Sequence, residues 1–241
     1  MSCVQTLHTS YLKAKANINK TKFYNNKIDV VKLIFDAKFN HMTEAQIIEA
    51  EILRQIDKSI NNAIGKFHEQ VLGGIQGFEQ GQASGFDIKA TDNTLFDDIK
   101  NKHNTMNSSA AESLFQKLSR YADTHKKAKC YWVQILAKSS FTELWSGDIN
   151  GKEYSHSRVY KISGDQFYHL LTGSPTAFFD LYKVLPKVIE DFLNGTASRV
   201  YSATSTDIVA NIEAAAKTSH RSVIDQITFD NFDYYAGFDR L

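Results

Sequence analysis

The chain has 241 residues and carries 28 Lys and Arg against 27 Asp and Glu, for a formal net charge of +1. Apolar residues make up 42% and charged residues 23%, which excludes a disordered or low-complexity chain. The balanced charge also excludes a uniformly basic chain, although a local basic surface is still possible. The length suits one large domain, and we predict a single domain over residues 1–241.

Cysteine usage and hydropathy indicate the compartment. Cys3 and Cys130 lie far apart, which fits neither a disulfide framework nor a metal-ligand spacing. The N-terminus lacks the apolar core of a signal peptide, and no stretch approaches the roughly 18 apolar residues of a membrane span. We therefore expect a soluble, reduced, cytoplasmic protein.

The first part of the chain predicts two helices. Apolar positions between residues 29 and 39 recur at helical spacing. A second helix has a clear start, because Thr43-Glu44-Ala45-Gln46 is a capping box with Thr43 at the N-cap. An isoleucine recurs every four positions on that helix and predicts a buried stripe: Ile48, Ile52, Ile56 and Ile60. The helix should end between residues 62 and 65. Glu51 borders this stripe.

The middle of the chain predicts a sheet. The glycine-rich residues 73–85 lack a phosphate-loop pattern and predict a flexible approach to it. Residues 86–90 and 94–100 predict two antiparallel strands joined by a short turn. A capping box at Ser109-Ala110-Ala111-Glu112 predicts a helix to about residue 124, and residues 129–138 predict a buried strand. A strand, a helix and a strand in succession imply a parallel crossover.

The second half adds a hairpin and helices. Asn150-Gly151 is a strong two-residue hairpin signal. Helices are predicted after residue 163, from 174 to 194 with Pro175 at its first position, and near 206–217. The fold class is therefore α/β, a mixed sheet flanked by helices. Its core lies over about 43–140, and a hairpin and helical region over 141–241 is a candidate for DNA recognition and dimerisation.

Three residues on the predicted hairpin carry chemistry. Asp98 and Lys100 are two apart on one strand, so their side chains share a face, and antiparallel pairing can bring Asp87 beside Asp98. Two carboxylates at a strand end can hold a hard divalent cation such as Mg²⁺. A lysine beside them can position a water or stabilise charge developing on a phosphate.

Two other interpretations of the hairpin stay open. Asp, ten residues and then Asp-x-Lys is a loose pattern, and a solvated hairpin face also explains it. Asp87-Ile88-Lys89 is itself an Asp-x-Lys, with Glu79 as its nearest upstream acid. We rank it second, because Asp98 and Lys100 directly precede a polar segment and the crossover helix.

The surroundings of the hairpin favour a site that binds phosphate. The run from Lys100 to Thr105 is dense in donors that suit phosphates and base edges. Between Asp98 and Lys138 there are eight positive and three negative residues, in a chain whose net charge is +1. Basic charge is therefore concentrated around the proposed site, as a contact surface for DNA requires. An ordinary solvated lysine face is the alternative.

The same segment resembles a known family. DIKNKHNTMNSS (98–109) is similar to the active-site segment of type II restriction endonucleases that cut GGNCC sites. The resemblance extends over roughly residues 28–195, through the stretches 47–70, 154–173 and 184–192. The spacing of Asp87, Asp98 and Lys100 matches the PD-(D/E)XK nuclease superfamily, except that Phe86 stands where that pattern has Pro.

The resemblance implies a Mg²⁺-dependent enzyme that hydrolyses phosphodiesters in double-stranded DNA. It assigns Asp87 and Asp98 to metal binding and Lys100 to catalysis. It suggests Glu51 as a third carboxylate, with Glu49 second, although a Glu51 paired with Arg54 or Gln55 is the structural alternative. The resemblance also implies a cytoplasmic bacterial restriction system in which the enzyme acts as a homodimer. Its partner in that system would be a DNA methyltransferase that does not bind it stably.

The residues expected to contact DNA fall into two groups. The first follows the catalytic strand and the second follows the Asn150-Gly151 hairpin, where an arginine can read guanine: Lys102, His103, Asn104 and Thr105, then Ser155, His156 and Arg158. A solvated hairpin is the alternative for the second group. His103-Asn104 also resembles a pair used by another nuclease class, without its supporting elements. A repair nuclease of the same fold and a non-catalytic DNA-binding protein are the alternative functions.

Overall fold

A computed structural model describes residues 2–16, 29–42, 44–81, 85–194 and 214–241. Contacts divide the chain into two units, Met1–His68 and Glu69–Leu241, which are described separately. Thr43 of the first capping box and residues 206–213 of the predicted late helix lie outside the described residues, while residues 214–218 are helical. Among the described helices, none combines the length and the apolar character that crossing a bilayer requires.

The first unit consists of helices α1 (Ser2–Ala16) and α2 (Val30–Phe39) and most of α3 (Glu44–Leu72). Asp29 caps α2 by accepting a hydrogen bond from the Lys32 amide at 3.0 Å. Helix α3 runs well past its predicted end, because Gly65 costs only about 1 kcal/mol in a helix interior. It ends instead at the glycine pair that follows Leu72.

The predicted isoleucine stripe of α3 is not buried. Ile48 is 52% exposed, and Ile52, Ile56 and Ile60 are partly exposed. A repeat of four residues drifts by about 40° at each step around a helix of 3.6 residues per turn, so the four side chains spread over a wide arc. The buried positions on this part of α3 are polar, Glu51 and Gln55.

The second unit is built on a six-stranded mixed sheet of order β1-β2-β3-β4-β6-β5. The strands are β1 (Phe78–Gln80), β2 (Ile88–Ala90), β3 (Leu95–Lys102), β4 (Lys129–Leu136), β5 (Thr142–Ile149) and β6 (Lys152–Ser163). The predicted hairpins β2–β3 and β5–β6 are confirmed as antiparallel pairs. Strand β1 falls inside the segment predicted to be a flexible approach, where it pairs with β2.

Helix α4 (Ser108–Thr124) makes the predicted parallel crossover from β3 to β4. Its N-cap is Asn107, whose side chain accepts from the Ala110 amide at 2.9 Å. The capping box predicted at Ser109 therefore starts two residues too late. An asparagine at N-cap satisfies the same free amides as a serine, so the neighbouring Asn107 takes the role.

Both faces of the sheet are covered. Helix α4 packs on one face through Leu114, Phe115 and Leu118, which join Phe96 and Cys130 in one cluster. On the other face Ile99 and Val133 join a second cluster with the helices α5 (Gly164–Thr172) and α6 (Ala177–Leu193). Because both of its faces are buried, β4 reads as a largely apolar run rather than as an alternating strand.

The C-terminal residues pack against the end of the interior strand β4. Helix α7 (Val223–Phe232) and a 3₁₀ turn (Phe238–Arg240) follow. The Tyr235 hydroxyl accepts from the Ala137 amide at 2.9 Å and donates to the Ile135 carbonyl at 3.1 Å. Residues of the aromatic, acidic tail are therefore part of the hydrophobic core at the end of β4. The composition of the tail does not predict this role.

We expect the stability of the fold to fall in mild acid because of His68. Burial lowers the pKa of His68 to about 4, against 6.5 for the free side chain. As the pH falls from 6.5 to 4, His68 takes up a proton in the unfolded chain but not in the folded protein. The stability that is fully present above pH 6.5 is therefore lost over that window. The free energy of unfolding should drop by about 3 kcal/mol over that window.

Chemical denaturation at a series of pH values measures this effect. His68→Gln should remove that part of the pH dependence. His41→Asn is the control, because His41 is exposed and asparagine tolerates its positive φ. Equal pH dependence in the wild type and His68→Gln would contradict the prediction.

Candidate active site

Two aspartates fasten β2 to β3 where the strands begin to separate. Asp87 Oδ2 accepts from the Ile99 amide at 2.6 Å, and Asp97 Oδ1 accepts from the Ile88 amide at 3.1 Å. The Asp87 amide also donates to the Asp97 carbonyl at 3.1 Å. Each strand thus supplies a carboxylate to the backbone of the other, and Asp87 is held at the level of Asp98.

Asp98 lies between two lysines. Lys100 Nζ donates to Asp98 Oδ1, as expected for side chains two apart on a strand. Lys117 Nζ, on α4, lies 3.2 Å from Asp98 Oδ2. The Asp98 side chain is only 13% exposed, so these charges meet in partly screened surroundings. The predicted convergence of Asp87, Asp98 and Lys100 is present in the structure.

The two aspartates on the strand junction have raised pKa values. Burial raises the pKa of Asp87, and the nearby charge of Asp98 adds to the rise. The Ile99 amide and the ammonium groups of Lys100 and Lys117 act in the opposite direction. Burial also raises the pKa of Asp97 well above its ordinary value, and its Oδ2 accepts no hydrogen bond from the described residues.

The donor set at this junction suits a hard divalent cation. Asp87 uses Oδ2 for the Ile99 amide, and no hydrogen bond from the described residues reaches its Oδ1. That oxygen and the carboxylate of Asp98 are oxygen donors of the kind that Mg²⁺ and Ca²⁺ take. Within the described ranges no group of three His, Cys, Asp or Glu side chains is arranged to hold a metal ion.

The rival Asp-x-Lys is engaged elsewhere. Lys89 Nζ lies 2.8 Å from Glu79 Oε1 across the β1–β2 pair, where the two residues are register partners. The charges that act on Asp87 come from Asp98 and the two lysines around it. Lys89 and Glu79 therefore form a cross-strand ion pair at the sheet edge.

Glu51 is buried on α3 in a fixed ion pair. Its two oxygens accept from Arg54 Nε at 2.7 Å and Arg54 Nη2 at 2.6 Å, and Gln55 donates to it at 2.8 Å. The hydrogen bonds from Arg54 lower the pKa of Glu51 below its usual value. These contacts match the structural alternative, and they lie beside a pocket of about 530 Å³ between α2 and α3.

The first group of predicted DNA contacts forms the turn after β3. Lys102, Asn104 and Thr105 are exposed, and the Thr105 hydroxyl donates to the Lys102 carbonyl at 2.9 Å. His103 is tied to β4 through the Leu136 carbonyl, which its amide reaches at 3.2 Å. The turn thus presents a cation and polar side chains two residues beyond Lys100.

The second group lies at the opposite end of the sheet. Val159 pairs with Cys130, which pairs with Phe96 near the start of β3. The level of Lys102 is six residues farther along, or about 20 Å at about 3.3 Å per residue. The structure therefore does not bring the second group, which is Ser155, His156 and Arg158, beside the first.

That second group sits in an irregular part of β6. Residues 156–159 lie opposite the single residue Trp145, because the β5–β6 register shifts there. Arg158 donates to the His125 carbonyl at 3.0 Å and to the Lys126 carbonyl at 2.6 Å, at the C-terminal end of α4. His156 lies 3.2 Å from Asp123, while Ser155 is exposed. Arg158 thus caps a helix, whatever else it contacts.

Sequence reasoning missed Lys117 and Asp97 as members of this cluster. Lys117 was one lysine among many on an amphipathic helix, and only the packing of α4 on β3 brings it to Asp98. Asp97 could have been found from the sequence, because Asp97 and Asp98 are adjacent. Its alternation predicts that the first aspartate of the pair faces the opposite side of the sheet from the second.

Comparison with known proteins decides the family. The sequence pattern of the Eco47II restriction endonuclease family matches residues 1–194. The chain is 37% identical over 239 residues to the type II restriction enzyme Sau96I of Staphylococcus aureus, covering 95% of this chain and 91% of that enzyme. It is 29% identical over 202 residues to the type II restriction enzyme Eco47II of Escherichia coli, covering 79% and 83%. The chain belongs to the Eco47II restriction endonuclease family.

The endonuclease is accordingly a type II site-specific deoxyribonuclease that acts on double-stranded DNA. Enzymes of this type generally depend on a metal ion. The match covers both the strands that carry Asp87, Asp98 and Lys100 and the helix that carries Lys117. The mixed sheet flanked by helices agrees with the fold that the sequence predicts.

Arg158→Ala should destabilise the endonuclease. The guanidinium donates to the His125 and Lys126 carbonyls directly after α4, and the His125 carbonyl also accepts from the Ala128 amide. Losing charged hydrogen bonds of this kind should lower the free energy of unfolding by about 1–3 kcal/mol, measured by urea denaturation. Lys161→Ala is a matched control, because its exposed pair with Glu143 contributes about 0–1 kcal/mol.

An unchanged urea midpoint for Arg158→Ala would contradict the capping role. Cleavage of cognate and mismatched sites, measured in parallel, tests the base-reading role predicted from the sequence. A loss of discrimination worth about 1–3 kcal/mol supports it, and equal losses on both DNAs remove Arg158 from the recognition residues.

Proposed function

We propose that the endonuclease hydrolyses DNA phosphodiesters with Mg²⁺ at the junction of β2 and β3, where Asp87 and Asp98 bind the metal and Lys100 is catalytic. The observation that carries this proposal is the convergence of these three side chains on one side of the strand junction. The opposite face of β3 is occupied by core residues such as Ile99. Only the Asp98 face therefore offers carboxylates and an ammonium together on this strand.

The chain's own groups divide the work. The Ile99 amide holds Asp87 Oδ2 and so restricts the rotamer of Asp87. The second oxygen, Oδ1, is therefore kept in a fixed position relative to the strand. Asp98 offers the second carboxylate and keeps Lys100 beside it. Lys100, 32% exposed, reaches solvent and can orient a water or stabilise charge on the scissile phosphate. A bound Mg²⁺ supplies Lewis-acid polarisation of the phosphate and lowers the pKa of a bound water.

Mg²⁺ is favoured over a softer metal by the ligand types. Carboxylate oxygens suit Mg²⁺ and Mn²⁺, whereas zinc sites generally use histidine and cysteine. Cys130 is buried, and burial raises the pKa of its thiol to about 12, so it does not supply a thiolate to this cluster. The remaining ligand positions would be taken by water and by the phosphate, as is usual for Mg²⁺.

We propose GGNCC as the recognition sequence and a homodimer as the active species. The recognition sequence follows from the resemblance of residues 98–109 to enzymes that cut such sites. A site with two-fold symmetry is matched by a protein with two-fold symmetry, in which each subunit cuts one strand. A DNA methyltransferase of the same specificity would protect the host DNA without forming a stable complex.

The turn after β3 is proposed to hold the DNA backbone near the catalytic groups. Lys102 is exposed and follows Lys100 by two residues on the same strand. His103, Asn104 and Thr105 add donors in the same turn. Ser155 and His156 are proposed as contacts to a separate stretch of DNA, because they lie at the other end of the sheet.

Asp98→Asn and Lys100→Ala should each reduce cleavage of plasmid DNA by at least about 100-fold, because each removes a group that acts on the reacting phosphate. Lys89→Ala is the matched control, since Lys89 belongs to the rival Asp-x-Lys and pairs with Glu79. It should cut at a rate near that of the wild type. The measurement is the rate of appearance of linear fragments in Mg²⁺.

Near wild-type cleavage by Asp98→Asn would overturn the assignment. Loss of activity in Lys89→Ala, with the fold intact by circular dichroism, would transfer it to the rival pattern. Since the family is established independently, either result would move the site without changing the class of enzyme.

The role of Glu51 is a separate proposal. We propose that it contributes a carboxylate to the metal site, as the resemblance suggests. The alternative is a purely structural role, in which Glu51 pairs with Arg54 on the same helix. Glu51→Gln removes the buried partner of an ion pair whose Arg54 is 44% exposed, and should lower the free energy of unfolding by about 1–3 kcal/mol. Removal of a carboxylate that only repels its neighbours would not lower it.

Arg54→Met separates the two roles, because it breaks the same pair and keeps the Glu51 carboxylate. If Glu51 binds metal, Glu51→Gln should lose much of the rise in melting temperature that Ca²⁺ produces, and Arg54→Met should keep it. If both variants melt lower and respond to Ca²⁺ like the wild type, Glu51 is a structural residue.

A further inference from the structure

Helix α4 places a second lysine on the proposed metal ligand. Lys117 Nζ is 3.2 Å from Asp98 Oδ2, while Lys100 takes Oδ1. Both oxygens of this carboxylate therefore carry an ammonium. A divalent cation that binds Asp98 is repelled by both ammonium groups and competes with them for the same carboxylate charge.

Phe86 gives Lys117 a defined second contact. Lys117 Nζ lies 4.3 Å from the centroid of the Phe86 ring, within the range of a cation–π interaction. Phe86 is only 3% exposed and packs on Phe96 and Tyr121, so the ring cannot move away. It occupies the position before Asp87 at which the superfamily pattern has proline. The departure from that pattern thus supplies an aromatic face for the lysine.

We propose that Lys117 is a positioning lysine that neutralises Asp98 while the metal is absent and moves to the DNA backbone when the cation binds. The proposal rests on the assignment of Asp98 as a metal ligand. Lys117 is 31% exposed, so its ammonium can leave Asp98 and reach the solvent-facing side of the site. The ring of Phe86 keeps it within the site, where the anion that the reaction brings is a phosphate.

The charges explain why such a residue is useful. Asp87 is held at the level of Asp98, so the two carboxylates repel each other across the strand junction. An ammonium on Asp98 lowers that repulsion before a metal binds. It also repels an incoming divalent cation, so it weakens metal binding until a phosphate provides the ammonium with another partner. Metal and DNA binding are then coupled through one side chain.

The first test is Ca²⁺ titration by calorimetry without DNA, which measures metal binding separately from cleavage. Lys117→Met keeps the length of the side chain and removes the charge, and we expect it to bind Ca²⁺ about three- to tenfold more tightly than the wild type. Lys117→Arg should restore affinity near the wild-type value. Arg120→Met should leave it unchanged, because Arg120 is exposed one turn farther along α4 and donates to the Gln116 carbonyl.

The outcomes separate this inference from the site assignment. Equal Ca²⁺ affinity in Lys117→Met and the wild type would overturn the inference, as would an equal gain in Arg120→Met, which would reveal a general charge effect. Asp98→Asn tests the assignment itself, because it should lose Ca²⁺ binding. Retained Ca²⁺ binding in Asp98→Asn would refute the metal site independently of Lys117.

A second measurement tests the movement to DNA. Binding of cognate duplex in Ca²⁺ is followed at several salt concentrations for the wild type and Lys117→Met. Loss of one phosphate contact should reduce the slope of log affinity against log salt by about 1. An unchanged slope, together with tighter Ca²⁺ binding, would show that Lys117 stays on Asp98 and would overturn this half of the proposal.

Discussion

The candidate site depends on a reciprocal pair of carboxylate–amide hydrogen bonds between β2 and β3. Asp87 accepts from the Ile99 amide, and Asp97 accepts from the Ile88 amide. These strands pair in the ladder at one position, Lys89 with Phe96, and beyond it the two side chains and the backbone hydrogen bond from Asp87 to Asp97 hold them together. The arrangement is costly, because burial of the two carboxyl groups raises both pKa values and the two hydrogen bonds offset only part of that rise. In return, the position of Asp87 relative to Asp98 is fixed by the backbone rather than by rotamers.

Helix α4 connects the rest of the molecule to this junction. Lys117 reaches Asp98, and the C-terminal carbonyls accept from Arg158 of β6. Near the other end, Glu112 accepts from Tyr154, Asn150 and Lys152 of the β5–β6 hairpin, and these hydrogen bonds lower the pKa of Glu112 to about 2. The hairpin, the crossover helix and the proposed metal ligand are therefore joined by direct hydrogen bonds and ion pairs.

The parts of the fold that follow local rules were predictable. The turn at Asn150-Gly151 has both residues at positive φ, as its sequence requires, and the alternation of β3 places Asp98 and Lys100 on one face with Ile99 on the other. Prediction failed where packing overrides a local signal. Helix α3 passes through Gly65, and its buried positions include Glu51 and Gln55 rather than the isoleucine stripe. Strand β1 has three residues, too short to show a period, and is defined by its pairing with β2.

The sequence by itself determined the class of enzyme through its similarity to known endonucleases. It also determined the mixed α/β sheet and the candidate residues Asp87, Asp98 and Lys100, because strand alternation and motif spacing are properties of neighbouring residues along the chain. Only the tertiary structure decided that Lys117 belongs to the same cluster, that Arg158 caps α4 and that the two groups of predicted DNA contacts lie at opposite ends of the sheet. Each of these facts depends on contacts between residues 19 or more positions apart, such as Lys117 with Asp98. Such contacts are set by which faces pack together and in what register, and no local pattern encodes that choice.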